Sequence, residues 1–432
     1  MQNKIAAAVA AAIAAALATL GVSTAVMASG FALPEISTAG MATANAMVAN
    51  PNEIGAIPYN AAAMGFHDSN IAVGAAMIAP SFSVKTASGD HDSQSADWLS
   101  TPMLQAAAKL GDRWRVGFGF NAPFGLETRW QYGTFPALSQ SVTRTLPRPL
   151  GRVTIPTGNH PTSSKLEVLD LVPSLAYRVN DNLSLGLGLN VYWAKSAQLN
   201  SNLGQMSGDG TGLGFNLGAL YRLNALSLGL SFNSASTVAI DGNYAPMNNT
   251  LVMLGRLKQG QPASVDLNLP WRVQLGARYE LTRELAAEFD WSYTGWSEFD
   301  RLDVVGDRTG ELIFSDTNDW VDTSAYRFGL TWQARPATQL RFGYAYDETG
   351  QDSEHFSARV PDSDRQLFSL GVAQDVGNGF SVEASLLYVL ANERNVRNAA
   401  PYTGSDVNGT SAINGNYEMD ATLIGLALVK TF

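Results

Sequence analysis

Apolar and polar residues alternate along most of this chain. The pattern is cleanest where Leu183, Leu185, Leu187, Leu189, Val191 and Trp193 share one parity and Ser184, Gly186, Gly188, Asn190 and Tyr192 the other. It returns at Leu213, Phe215, Leu217, Ala219 and Tyr221, at Leu226, Leu228, Leu230 and Phe232, and at Trp271, Val273, Leu275, Ala277 and Tyr279. Further along it is carried by Leu285, Ala287, Phe289, Trp291 and Tyr293, by Tyr326, Phe328, Leu330 and Trp332, and by Leu340, Phe342, Tyr344 and Tyr346. A period of two means strands with one apolar face and one polar or small face. Extended along the chain, it predicts fourteen strands: 71 to 86, 101 to 110, 114 to 121, 166 to 179, 183 to 199, 211 to 223, 226 to 240, 266 to 282, 284 to 304, 320 to 334, 338 to 347, 364 to 376, 379 to 395 and 417 to 432.

A soluble sandwich shows the same alternation, so the connections decide. Tight turns at Gly111-Asp112-Arg113, Asn180-Asp181-Asn182, Asn224-Ala225, Thr282-Arg283, Arg335-Pro336-Ala337 and Gly377-Asn378 alternate with long connections through 87 to 100, 122 to 165, 200 to 210, 241 to 265, 305 to 319, 348 to 363 and 396 to 416. Short turns on one side, long loops on the other and an even strand number describe an all-β, antiparallel transmembrane barrel. Closure satisfies every strand without an edge, which hydrocarbon demands. Aromatics near strand ends, namely Tyr192, Trp193, Trp271, Tyr279, Trp291, Trp296, Trp332 and Phe432, are expected to form the interfacial girdles.

Two segments depart from the pattern. Residues 1–28 read as a secretory signal peptide: Lys4, an alanine-rich apolar run from Ile5 to Leu20, and the small-residue stretch Val26-Met27-Ala28 with cleavage after Ala28. A retained anchor is disfavoured by the shortness of the run. From Ser29 to Asn70 the chain is rich in Ala, Asn, Met and Gly without alternation, and long enough to fold inside the barrel as a plug. Residues 71–432 would then be barrel.

Composition supports this picture. Hydrophobic residues make up 46% of the chain and charged ones only 15%, yet no later segment reaches the apolar length of a spanning helix. A net charge of -10 argues against nucleic acid as partner. The absence of Cys removes disulfides, zinc-thiolate sites and cysteine nucleophiles. The histidines His67, His91, His160 and His355 fall in the plug or loops and read as solvated residues, without the spacing of metal ligands. No cofactor is called for. A barrel-embedded hydrolase would want His, Ser and an acid converging from neighbouring strands, and no predicted strand carries a His.

Several stretches resemble the FadL-type family of outer-membrane long-chain fatty acid transporters. They are Ser29-Gly30-Phe31-Ala32-Leu33 with the Ser37 to Gly40 turn, Asn121-Ala122-Pro123-Phe124-Gly125-Leu126, Pro173 to Asn180, Gly186 to Asn190, Gly214 to Gly218, Tyr293 to Phe299 and Pro361 to Arg365. Each is weak alone; their order from Ser29 to Phe432 makes them specific. The resemblance implies a 14-stranded barrel with an N-terminal hatch, an external groove and inner pocket for an acyl chain, and a kinked third strand that opens the wall sideways. The family's hatch motif Asn-Pro-Ala appears here as Asn60-Ala61-Ala62.

The expected location is the outer membrane of a Gram-negative bacterium, and the expected function is uptake of long-chain fatty acids by passive, ligand-gated diffusion with lateral release. Import of alkanes or aromatic hydrocarbons is the alternative, and a general porin is the weaker one. Expected partners are the hydrophobic ligand, outer-membrane lipid and lipopolysaccharide, with the chain monomeric. Phe31 belongs to the candidate ligand site, and Phe124, Leu126, Trp130, Tyr132, Phe135 and Leu138 are candidates for an apolar lid. Arg272 and Arg327 have inward parity and suit a carboxylate, unless inward Glu288, Asp290 or Glu383 neutralise them. Lys195 aligns with a basic position of the family's fifth strand, whereas the parity of Trp193 turns it toward lipid, so substrate and lipopolysaccharide both stay open as its contact. The candidate lateral gate is Gly117, Gly119, Asn121, Ala122 and Pro123, because Gly weakens a strand and Pro cannot donate to a ladder.

Overall fold

A computed structural model describes residues 30–95, 97–147, 151–404 and 406–432. The expected signal peptide lies outside the described residues, as does Ser29. Fourteen spans form the barrel: β1 Asn70–Thr86, β2 Leu99–Leu110, β3 Trp114–Arg129, β4 Pro161–Arg178, β5 Leu183–Ser201 and β6 Gly204–Leu223. β7 runs through Leu226–Asn233 and Ser236–Pro246, β8 through Gln261–Leu269 and Arg272–Glu280, and β9 through Leu285–Thr294 and Arg301–Gly306. β10 Thr323–Arg335, β11 Thr338–Asp347, β12 Arg365–Gly377, β13 Phe380–Ala391 and β14 Gly415–Thr431 complete the wall. Every neighbouring pair is antiparallel, and β1 closes on β14 from Asn70↔Thr431 to Lys85↔Asn416.

The period of two sorts the faces as the sequence demands. Leu185, Leu187, Leu189, Leu217, Leu230, Phe289, Phe328 and Leu370 are exposed on the outside, whereas Ser184, Asn190, Gln274, Glu288 and Arg327 are buried inside. Such a continuous apolar exterior is stable only against lipid. Tyr192 and Trp296 are exceptions to the expected girdles: both are buried within the lumen, Tyr192 because it shares the inward parity of Asn190.

Several strands are longer than the pattern suggests. β3 continues to Arg129 rather than ending at 121, β4 starts at Pro161, and β5 and β6 meet across residues 202 and 203 rather than a long loop. Bulges explain the misreading. Register shifts between Asn121 and Phe124 and between Ala194 and Ala197 break the alternation while pairing resumes above them. A separate hairpin, Ser141–Thr145 with Arg152–Pro156, tops the connection after β3. His160 also departs from expectation: it is fully buried beside the rings of Tyr132 and Phe135, and burial lowers its pKa to about 4, keeping it neutral.

From Gly30 to Ser69 the chain lies inside the barrel. A short helix, α1 Thr38–Ala42, is capped by Ser37, whose Oγ accepts from Gly40 N at 3.0 Å. The wall supplies the partners this irregular backbone lacks. Asp290 accepts from Met47 N and Val48 N at 2.8 and 2.9 Å, and Glu288 accepts from Ala49 N at 2.8 Å. Glu53 pairs with Arg341 at 2.7 Å. Asn60 accepts from Ala62 N and donates to Val48 O and Ala219 O. Thus Asn60-Ala61-Ala62 opens a 3-10 turn without needing proline. A Cβ at Gly186 would strike Ala61 and Ala62, and one at Gly218 would strike Asn60, so the small inward residues of β5 and β6 are the notches that receive this turn.

Both chain ends of the barrel and all the tight turns share one rim, since Phe432 N donates to Ser69 O. An epitope tag placed at Gly404 or in the tip between Thr145 and Arg152 is expected to be stained on intact cells, and one at Asp181 or Asn378 only after permeabilisation. The reverse staining would invert the orientation.

Candidate ligand-binding site

A cavity lies between the N-terminal segment and the wall. Its inner side is apolar, formed by Ala32, Leu33, Pro34, Ile36, Ile57, Pro58, Ala61 and Met64. Its outer side is a polar band carried by successive strands: Asn121 on β3, Asp170 on β4, Asn190 on β5, Asn216 on β6, Asn233 on β7, Arg272 on β8, Ser292 on β9 and Arg327 on β10. A crescent with one apolar and one polar flank suits a long amphiphile.

The two arginines differ in kind. Arg327 is buried and committed: it donates to both oxygens of Asp347 at 3.1 and 3.2 Å and to Ser292 at 2.9 Å. Glu288 is taken by Arg278, Glu383 by Arg341, and Asp290 by the backbone of the N-terminal segment. Arg272 forms no ion pair among the described residues. Around it stand Arg327, Tyr192, Tyr59 and Asp347, and its strand neighbours are Asn233 and Thr294. Glu35 in the N-terminal segment is engaged by Asn45 at 2.9 Å, and burial pushes its carboxyl up to about 7. A cation that faces a cavity and is paired with none of the carboxylates lining it can accept a ligand's carboxylate.

The wall is interrupted beside this cavity. β2 and β3 pair from Leu110↔Trp114 only as far as Met103↔Asn121. Above that point β3 keeps β4 as its partner, and its free edge is taken by the N-terminal segment instead of β2. Leu33 N donates to Pro123 O at 2.6 Å, Gly125 N donates to Phe31 O at 2.8 Å, and Ala32 bridges Phe124. Pro102 and Pro123, which lack N–H donors, border the gap on its two sides. Phe118, just below the gap, is exposed on the outer face and also borders the cavity, so the wall between cavity and lipid is one strand thick here.

Above lies a second chamber with an almost wholly apolar lining that includes Leu126, Leu166, Met206, Ile240, Val265, Leu267 and Leu302. Phe31 lines this chamber and packs against Phe124 and Trp296, which line the cavity below. Its ring lies 4.9 Å from Phe299, 5.0 Å from Trp296 and 5.8 Å from Phe124.

A family model described as outer membrane protein transport protein (OMPP1/FadL/TodX) matches residues 19–148 and 137–432. The chain belongs to this family. Among its relatives, the long-chain fatty acid transport protein of Escherichia coli O6:H1 is 25% identical over 418 residues, covering 85% of this chain and 88% of the relative. The 47 kDa outer membrane protein of Pasteurella multocida is 26% identical over 414 residues, covering 92% and 95%. The crystal structure of a Pseudomonas aeruginosa FadL homologue superposes with a TM-score of 0.77 at 19% identity, over 93% of this chain and all of that one. The toluene transporter TbuX of Ralstonia pickettii gives 0.65 at 16% identity, over 94% and 99%. These two likenesses establish a shared fold. The protein is an outer-membrane transport barrel, and its family is one of transporters rather than enzymes.

Within this FadL-family barrel the expected site residues separate into groups. Arg272, Arg327, Phe124, Gly117, Gly119, Asn121, Pro123 and Ala61 line the large cavity, and Phe31 and Leu126 the upper chamber. Phe124 and Leu126 do so from β3 itself, not from a loop. Trp130, Phe135 and Leu138 line neither; they are buried in the packed cap, where Trp130 donates to Ala358 O at 2.7 Å. Tyr132 is exposed. Gly117 and Gly119 remain laddered on both sides, and Gly117 instead makes room for Met64; the interruption falls at Ala122 and Pro123. Lys195 sits in the β5 bulge, which cancels the parity of Trp193. It pairs with the nearly covered Glu167 at 3.2 Å and lines neither chamber. The row Asp170, Asn190, Asn216 and Asn233 was missed, although each is an inward amide or acid on consecutive strands.

Proposed function

We propose that this protein takes up long-chain fatty acids across the outer membrane, with residues 29–70 acting as a hatch and 71–432 as the barrel. The observation that carries this reading is Arg272, a cation facing an amphipathic cavity with no ion-pair partner among the described residues. Relatives named long-chain fatty acid transport protein support it. An acyl chain enters the apolar upper chamber, and movement of Phe31 admits it to the cavity, where its carboxylate meets Arg272 and its tail lies on the hatch. Release is sideways, through the gap between β2 and β3. The working unit is a monomer whose outer face meets lipid and lipopolysaccharide.

Replacing Arg272 with Leu is expected to weaken oleate binding to the purified barrel about 10- to 100-fold, from the loss of a charge-assisted pair worth about 1.5–3 kcal/mol. Titration of oleate by calorimetry measures it. An unchanged affinity overturns the assignment. The upper chamber, which has no cation within its apolar patch beyond Lys165, favours a second reading in which aromatic hydrocarbons are carried, as the name of the toluene transporter suggests for that protein. In that case toluene binds, and Arg272→Leu leaves its affinity unchanged.

A further inference from the structure

The polar band has a direction. Asn216 donates its amide to Asn190 Oδ1 at 3.0 Å, and Asn190 donates to Asp170 Oδ2 at 2.6 Å. The hydrogen-bond donors therefore all point away from Arg272 and toward the gap in the wall. At the far end the row finishes on acceptors. Asp170 is only 4% exposed, lines the cavity, and its Oδ1 has no hydrogen-bond partner among the described residues. Asn121, its register partner on β3 and the last residue of the β2–β3 ladder, likewise has an unpartnered Oδ1. One end of the crescent thus offers a cation, and the other offers buried oxygens.

A buried acceptor without a donor is destabilising, and a ligand group that supplies the donor relieves it. A carboxylate satisfies Arg272 but brings only more acceptors to Asp170. A protonated acid or an alcohol brings the missing O–H. Resting on the uptake reading above, we propose that Asp170, assisted by Asn121, is a specificity-determining residue at the exit, which passes headgroups that donate a hydrogen bond and holds back those that do not. A fatty acid bound at Arg272 as its carboxylate leaves past Asp170 as the neutral acid, having gained one proton from water on its way along the row. The ligand then enters the bilayer uncharged, which avoids placing an ion in hydrocarbon.

Two uncharged probes with the same tail isolate the effect: oleyl alcohol, which donates, and methyl oleate, which cannot. Uptake of each into proteoliposomes holding the full barrel is compared for wild type and Asp170→Asn. In wild type the alcohol is expected to enter about tenfold faster than the ester, since a site built for a donor rejects its analogue. In the variant, Asn190 still donates to the carbonyl oxygen of the substituted side chain, whose amide nitrogen now offers a donor to the cavity, and the ratio should fall to about one. Spontaneous uptake into protein-free liposomes is subtracted from each rate, and retained oleate binding by Asp170→Asn shows that the variant is folded. Equal entry of the two probes in wild type, or a preference unchanged by Asp170→Asn, overturns the proposal. Oleate binding through Arg272, measured separately, reports on the uptake reading itself.

Discussion

Bridging β2 to β3 across the gap above Asn121 is expected to reduce oleate uptake at least about tenfold. An acyl chain gains about 0.8 kcal/mol for each methylene kept in apolar surroundings, so release into lipid is far more favourable than release into periplasmic water. Sideways passage requires a wall that is not laddered, and the β2–β3 seam supplies one: its pairing stops at Met103↔Asn121 while both strands continue upward on their other neighbours. Just above Asn121 the edge of β3 is held by Phe31, Ala32 and Leu33 of the N-terminal segment, and at its top, at Arg129, by Ser93 and Gln94. Cysteine pairs drawn from Ser100 or Thr101 on β2 and Ala122 or Pro123 on β3, joined by a short bis-maleimide, would close this gap in a background that contains no other cysteine. Binding of oleate should persist, because Arg272 is untouched. A reducible linker should restore uptake on reduction. Full uptake after complete cross-linking would place the exit elsewhere.

The wall was legible in the sequence because lipid and lumen demand opposite residues at alternate positions, and no soluble constraint imposes this over so many strands. The same rule placed Arg272 and Arg327 inside. It failed where the rule itself is suspended. At the bulges after Asn121 and Ala194 one side of the ladder gains residues and parity is lost, so Phe124 and Leu126 read as loop rather than strand, and the parity that turned Lys195 toward lipid does not hold. The N-terminal segment was recognisable only as an absence of alternation. Its path is set by side chains far along the chain, such as Asp290 under Met47 and Val48, and by the space left at Gly186 and Gly218. No local pattern encodes those partners. Which arginine is left without an ion pair was equally hidden, since it turns on Asp347 reaching Arg327 and not Arg272.

Deleting residues 34–60 is expected to convert a nearly closed barrel into a conducting pore. Barrels of eight strands are filled by their own side chains, and those of sixteen leave an aqueous channel, so a wall of fourteen strands must be occluded by something else. Here the occluding mass is the hatch: Ala39, Met41, Ala42, Met47, Val48 and Ala62 are buried completely, yet they belong to no strand of the wall. The closed ladder does not run through this segment, and Glu288, Asp290 and Arg341 exchange hatch partners for water when it is removed, so the barrel should still assemble and insert. Single-channel conductance in planar bilayers should rise on the order of tenfold or more over wild type. Saturable oleate uptake should disappear at the same time, because the apolar flank of the cavity, proposed to hold the tail, is lost with Pro34, Ile36, Ile57 and Pro58. A shortened barrel that conducts no better than wild type would mean that side chains of the wall, and not the hatch, seal the lumen.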